Sequence, residues 1–175
     1  MNACTRLTSW ISSSLMLALI AGCGVGGGAL KFNQAIVAAN EKLGAAGVKY
    51  GEAIPAALNG GEQELMKLKA AYTEMTNTVA SVKAEVSALT VPNDKTSQDL
   101  STAYLDFLRG QDRLVAKFGE VIPIIENKKL SAPQKQAKVL AILKESENME
   151  GADLAKLQAA QQAFARDHNI KLRNK

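Results

Sequence analysis

Apolar side chains recur along most of this chain at alternating spacings of three and four, the period of a helix buried along one side. Leu65, Leu68, Tyr72, Met75, Val79, Val82, Val86 and Leu89 make the clearest stripe. At the rise of an α-helix it runs about 40 Å. A second stripe follows through Leu100, Tyr104, Phe107, Leu114, Phe118, Val121 and Ile125, with polar Gln111 at one seam position. A lone polar residue in such a seam commonly sets register. An earlier stripe is half alanine: Phe32, Ile36, Ala39, Leu43, Ala46, Tyr50, Ala53, Ala57. Its small residues align with large ones in the third helix, and small facing large fills a core without voids.

A fourth helix is predicted from Ser131-Ala-Pro-Gln134, a capping box in which serine and glutamine each satisfy an orphan backbone donor. Leu140, Leu143, Leu154, Leu157 and Phe164 continue it, while Glu147, Glu150 and Gly151 weaken its middle. The connections at Asn59-Gly60-Gly61, Val91 to Asp94 and Lys128 to Ala132 are short and polar. Short links between long helices make antiparallel neighbours. No stretch alternates with the period of a strand. The expected fold is all-α, an up-down-up-down antiparallel four-helix bundle over residues 31–175.

One heptapeptide occurs twice. "KYGEAIP" (Lys49 to Pro55) recurs as "KFGEVIP" (Lys117 to Pro123), identical at five of seven positions. Tyr50 and Phe118 take the same phase of their seams, which points to duplication of a helical hairpin. Each proline follows a glycine by four residues, so its ring should crowd the carbonyl of Gly51 or Gly119 and kink the helix. Two readings of the repeat stand. Lys49, Tyr50, Glu52, Lys117, Phe118 and Glu120 form a candidate partner-docking tip, or Tyr50 and Phe118 simply plug the core.

The beginning of the chain has another character. Arg6 and the terminal amine precede an apolar run from Ile11 to Ala21, interrupted by Ser12, Ser13 and Ser14 and too short to span a bilayer. Charged start, apolar middle and small residues at the end describe a secretory signal peptide. Ile20-Ala21-Gly22-Cys23 resembles the lipobox of bacterial lipoproteins. That resemblance implies diacylglyceryl transfer to the Cys23 sulfur, cleavage between Gly22 and Cys23, and acylation of the new amino terminus. Residues 1–22 would then be the signal peptide and 23–30 a lipidated, glycine-rich tether. A buried thiol is the ordinary role of a free cysteine, but the following Gly24-Val25-Gly26-Gly27-Gly28 has no side chains with which to continue a core helix. The other cysteine, Cys4, lies in the segment to be removed, so the mature chain can form no internal disulfide.

Charge narrows the function. Without Arg6 the 21 basic residues become 20 against 17 acidic, a net charge near +3 with the signs interspersed. That is a solvated surface and lacks the basic stripe and interleaved aromatics of a nucleic-acid binder. His168 is the only histidine, so no metal-ligating pair can form, and it is read as a surface residue near a helix end. Met149 and His168 lie on one helix, too far apart to face each other as haem ligands. Glu145, Glu147, Glu150 and Asp153 read as a solvated helix face, paired carboxylates or a cation site being the weaker reading. No nucleophile motif or phosphate loop is present, so no enzyme, metal or cofactor is expected.

The expectation is therefore a membrane-anchored envelope lipoprotein, its bundle outside the cytoplasm, acting as a scaffold or protein-interaction module with an envelope protein partner. The alternative is a binding module for an apolar ligand or an unfolded client, held between helices loosened by alanine and glycine. Lys171, Arg173 and Lys175 are expected near the lipid headgroups, or else in a frayed, solvated tail.

Overall fold

The computed structural model describes residues 19–20 and 27–172. Four long helices and one short one account for nearly all of it: α1 Gly27–Asn59, α2 Glu62–Ser87, α3 Lys95–Gly119, the six-residue α4 Val121–Glu126, and α5 Ala132–Asp167. Two-residue segments β1 Leu19–Ile20 and β2 Lys171–Leu172 pair antiparallel, Leu19 with Leu172 and Ile20 with Lys171. Cys23 and Gly22 lie outside the described residues, as do Arg173 and Lys175.

The expected stripes form the interior. On α1, Phe32, Ile36, Ala39, Ala46, Tyr50 and Ala57 are buried, and on α2 Leu68, Met75, Val79, Val82 and Val86 are. The interior divides into two clusters. A terminal core gathers Phe32, Ile36, Val86, Leu100, Tyr104, Leu157 and Phe164 around the start of α1 and the end of α5. A distal core gathers Tyr50, Ile54, Leu68, Met75, Val121, Val139 and Ile142. Leu43 packs against both.

Ion pairs run between the helices as ladders. Lys42 and Lys49 of α1 meet Glu85 and Glu74 of α2, and Arg113 and Lys117 of α3 meet Asp153 and Glu145 of α5. Lys83 and Lys69 of α2 meet Asp112 of α3 and Glu126 of α4. In each ladder partner numbers fall on one helix as they rise on the other.

The helix ends follow their local chemistry. Asp94 caps α3, its side chain accepting the Ser97 backbone N–H at 2.8 Å. Ser131 and Gln134 form the expected capping box, with Gln134 Oε1 accepting the Ser131 N–H at 2.9 Å.

Three expectations need correction. The first helix begins at Gly27, inside the 23–30 segment read as a tether, because Ala29 packs into the terminal core. The third helix is two helices: α3 stops at Gly119 and α4 starts at Val121, although Val121 and Ile125 stay buried on the same stripe. On α5 the inward face in the first half carries Val139, Ile142 and Ser146, whereas Leu140 is 39% exposed. Leucine size pointed one position too far along; rotation by about 100° per residue turns Leu140 off the seam. The true seam includes polar Ser146 and Gln161, whose Oγ and Oε1 have no hydrogen-bond partner among the described residues. Those two polar positions are why the pattern faded there.

Candidate functional site

The two copies of the repeat meet inside the molecule. Helical phase turns Tyr50 of α1 inward, and the end of α3 presents Phe118 to it, with ring centroids 5.5 Å apart. Tyr50 is 1% exposed, and its hydroxyl donates to the Phe118 carbonyl oxygen at 2.7 Å. That carbonyl is in the last turn of α3, where the ladder of backbone bonds is interrupted, so a side chain from one copy satisfies the backbone of the other. Tyr72 of α2 completes the cluster, its ring centroid 6.1 Å from that of Tyr50. Burial, and secondarily Tyr72, raises the Tyr50 phenol above its ordinary range, so it stays a neutral donor.

Gly119 leaves room at this junction for the Tyr72 ring. A Cβ placed there would lie 2.6 Å from Tyr72 Oη and 3.0 Å from its Cζ, closer than packed atoms approach. The absent side chain lets the aromatic ring of α2 cover the end of α3.

Lys49, Glu52 and Glu120 of the repeat face outward, whereas the Lys117 side chain is only 19% exposed. Lys49 pairs with Glu74, and Lys117 pairs with Glu145 at 2.8 Å and with Glu120 of its own copy at 3.1 Å. The hydrogen bonds it donates to the Glu145 and Glu120 carboxylates raise the Lys117 ammonium above its ordinary value. Glu52 and Glu120 are exposed. The cluster does not stand at the extremity of the molecule, because α1 runs on to Asn59, about 14 Å beyond Tyr50.

A second constellation joins residues that are remote in sequence. His168, at the C-terminal end of α5, packs its ring at a tilt against Phe164 with centroids 4.4 Å apart. Its Nε2 lies 3.4 Å from Asp94 Oδ1 and 3.5 Å from Ser97 Oγ, and the Ser97 hydroxyl donates to Asp94 Oδ2 at 2.7 Å. Burial alone would push the Asp94 carboxyl up. The hydroxyl and backbone N–H of Ser97, the Thr96 hydroxyl and His168 outweigh it and hold the group down to about 2. Although serine, histidine and aspartate are all present, both oxygens approach the same ring nitrogen. Ser97 is also fully buried and its hydroxyl already serves the carboxylate. A nucleophile would need its hydroxyl exposed to substrate and aimed at the histidine. The group acts as a clasp between the end of α5 and the start of α3. Its sequence signal was Asp94 three residues before Ser97, an N-cap pattern; nothing in the sequence placed His168 beside it.

Between α1 and α2 lies an open groove of about 800 Å³, lined among others by Ala45, Ala46, Ala70, Asn77, Thr78 and Ser81. The Lys42–Glu85 and Lys49–Glu74 pairs span the two helices along it. Hydrogen bonds from Lys42 and then Ser81 hold the Glu85 carboxyl low.

The acidic residues on α5 are dispersed: Glu145 and Asp153 are tied to α3 and Glu147 is exposed. No group of three metal-ligating side chains occurs among the described residues, and no described helix is long and apolar enough to cross a membrane. No protein-family model matches the chain, and no curated protein or solved structure matches it either.

Proposed function

We propose that this chain is a lipid-anchored lipoprotein of the bacterial cell envelope, a scaffold or protein-interaction module whose long helices run up-down-up-down and antiparallel. The observation that carries the reading is the Ile20-Ala21-Gly22-Cys23 box, set after a short apolar run and before a glycine-rich stretch. Cleavage before Cys23 removes Leu19 and Ile20, so their pairing with β2 belongs to the uncleaved chain.

The ion-pair ladders support the antiparallel order. Contact between Phe32 and Phe164, centroids 6.0 Å apart, supports a common end for the start of α1 and the close of α5. The tether and the C-terminal cations Lys171, Arg173 and Lys175 then share the membrane-facing end, where each charge contributes up to about 1 kcal/mol on an anionic surface. In the repeat, Lys49, Glu52 and Glu120 are the members that a partner can reach, while Lys117 is engaged by Glu120 and Glu145, and Tyr50 with Phe118 holds the set in place.

Membrane fractionation of wild type against Cys23→Ala tests the anchor. Wild type should sediment with membranes and the variant should not; equal partition of the two would remove the lipoprotein reading. For the docking set, Glu52→Gln with Glu120→Gln should leave the melting temperature unchanged and abolish in-cell cross-linking to an envelope protein. Survival of that cross-link would make the repeat purely architectural.

A further inference from the structure

The end of the molecule away from the start of α1 and the close of α5 carries two patches of opposite charge. Between Lys49 and Lys67 the chain has three glutamates, Glu52, Glu62 and Glu64, and no basic residue. Between Glu126 and Glu145 it has five lysines and no acidic residue. The first segment makes the α1–α2 turn and the second makes the α4–α5 turn and the start of α5. The Lys69–Glu126 ion pair brings these turns to one end of the structure.

Most of this charge is not neutralised within the chain. Glu126 and Glu145, which bracket the lysines, are tied to Lys69 and Lys117. Lys128, Lys129, Lys138 and Lys144 are exposed, and among the described residues none has a carboxylate partner. Glu52 and Glu62 are likewise exposed and unpaired, while Glu64 meets Lys67.

Each patch also holds an exposed apolar side chain. Met66 is 64% exposed and stands four residues after Glu62; Leu140 is 39% exposed and stands four before Lys144. Residues four apart share a helix face. The acidic face therefore carries one apolar contact and the basic face another, and these are two of the three large apolar side chains exposed among the described residues.

From this charge complementarity we infer that the distal end is a self-association surface, on which the acidic α1–α2 turn of one copy docks against the basic α4–α5 segment of a second copy. A two-fold axis through the end makes both contacts at once, because each copy brings one acidic and one basic turn to that end. Met66 of each copy then covers Leu140 of the other. Opposite charges guide the encounter and fix its register, and the apolar contact holds it. The inference does not depend on lipidation, since it concerns only the end away from the start of α1.

Two differently tagged full-length copies, mixed in non-ionic detergent, test it. They should co-purify at about 50 mM salt and associate at least ~10-fold more weakly at about 500 mM, where exposed charges are screened within a few ångströms. Glu62→Lys with Glu64→Lys should lose self-association, as should Lys128→Glu with Lys138→Glu and Lys144→Glu. The two variants mixed together should pair again, because each then carries the charge that the other lacks. Absence of wild-type pairing at low salt overturns the inference, as does pairing indifferent to salt, or a mixture no better than either variant alone. Should a variant melt at lower temperature, the salt dependence of wild-type pairing decides.

Discussion

The same heptapeptide has two fates in this molecule. In α1, Lys49 to Pro55 stays within one continuous helix that carries Pro55 in its interior. At the second copy the helix ends on Gly119, turns at Glu120 and restarts at Val121, which puts Pro123 in the first turn of α4. Identical Gly-Glu-x-Ile-Pro spacing therefore leaves the outcome open, and the neighbours settle it. At the second copy the backbone has a replacement donor, the Tyr50 hydroxyl on the Phe118 carbonyl, and a ring, Tyr72, over the glycine. Valine at 121 is fully buried where alanine at 53 is half-buried, so breaking the helix seats a larger apolar side chain in the distal core. A broken helix is tolerable where tertiary contacts satisfy its ends.

Four tests bear on this contrast, in descending order of effect. Tyr50→Ala should destabilise by about 3–5 kcal/mol, the usual range for emptying a large buried aromatic site. Phe118→Ala should cost at least ~1 kcal/mol less, since Phe118 is half-buried. Urea unfolding of both variants measures the difference, and equal costs would erase the asymmetry between the copies.

Gly119→Ala should cost about 1–3 kcal/mol by driving a methyl group into the Tyr72 hydroxyl. Tyr72→Phe in the same chain removes the oxygen that would be 2.6 Å away and should return part of the loss. Additive effects in that double mutant would mean that the close approach is not what requires glycine.

Pro55→Ala should raise stability by about 1–2 kcal/mol, because proline in a helix interior costs up to ~3 kcal/mol and returns only ~1 through the unfolded chain. At Pro123 the same change should be nearly neutral, since a first helical turn has no need of that N–H. Calorimetric melting of the two variants sharpens the comparison; equal shifts would show that the break in the second copy owes nothing to its proline.

The smallest effect belongs to the opposite end. Asp94 is held near 2, below its ordinary 3.8, so its contribution is complete above about pH 4 and is lost as pH falls through 2. Because the side chain is 38% exposed, the loss should be only about 1 kcal/mol. Asp94→Asn should flatten that acid limb. Hydrogen exchange in acid should loosen the start of α3 and the end of α5 first and leave the Tyr50–Phe118 contact protected. Simultaneous opening of both ends would mean that the two cores are one cooperative unit.

Much of the interior could be read from spacing. The stripes of α1 and α2 recur as buried residues because each helix is long and its apolar side chains sit three and four apart without interruption. The Ser131–Gln134 box was legible for the same reason, since its partners are three residues apart. Polar Ser146 and Gln161 broke the pattern on α5, and Leu140 was placed inside when it faces out. In the site, the phase of Tyr50 and Phe118 was visible, but Tyr72 at their side was not, nor was His168 against Asp94. Those contacts join residues 22 to 74 positions apart, and no local period encodes them.

What the sequence by itself determined is local. It set which segments are helical, where most of them start and stop, which face of each is apolar, and that a charged start, an apolar run and a cysteine box open the chain. Those features depend on residues within one or two turns of each other, where the 3.6-residue period, caps and glycine act directly. Only the tertiary structure decided that one copy of the repeat interrupts its helix and the other does not, that Tyr50 donates to Phe118, and that His168 closes on Asp94. The physical reason is that a proline-weakened turn has nearly balanced alternatives, and a hydrogen bond or a buried ring from another helix, absent from the local sequence, tips the balance.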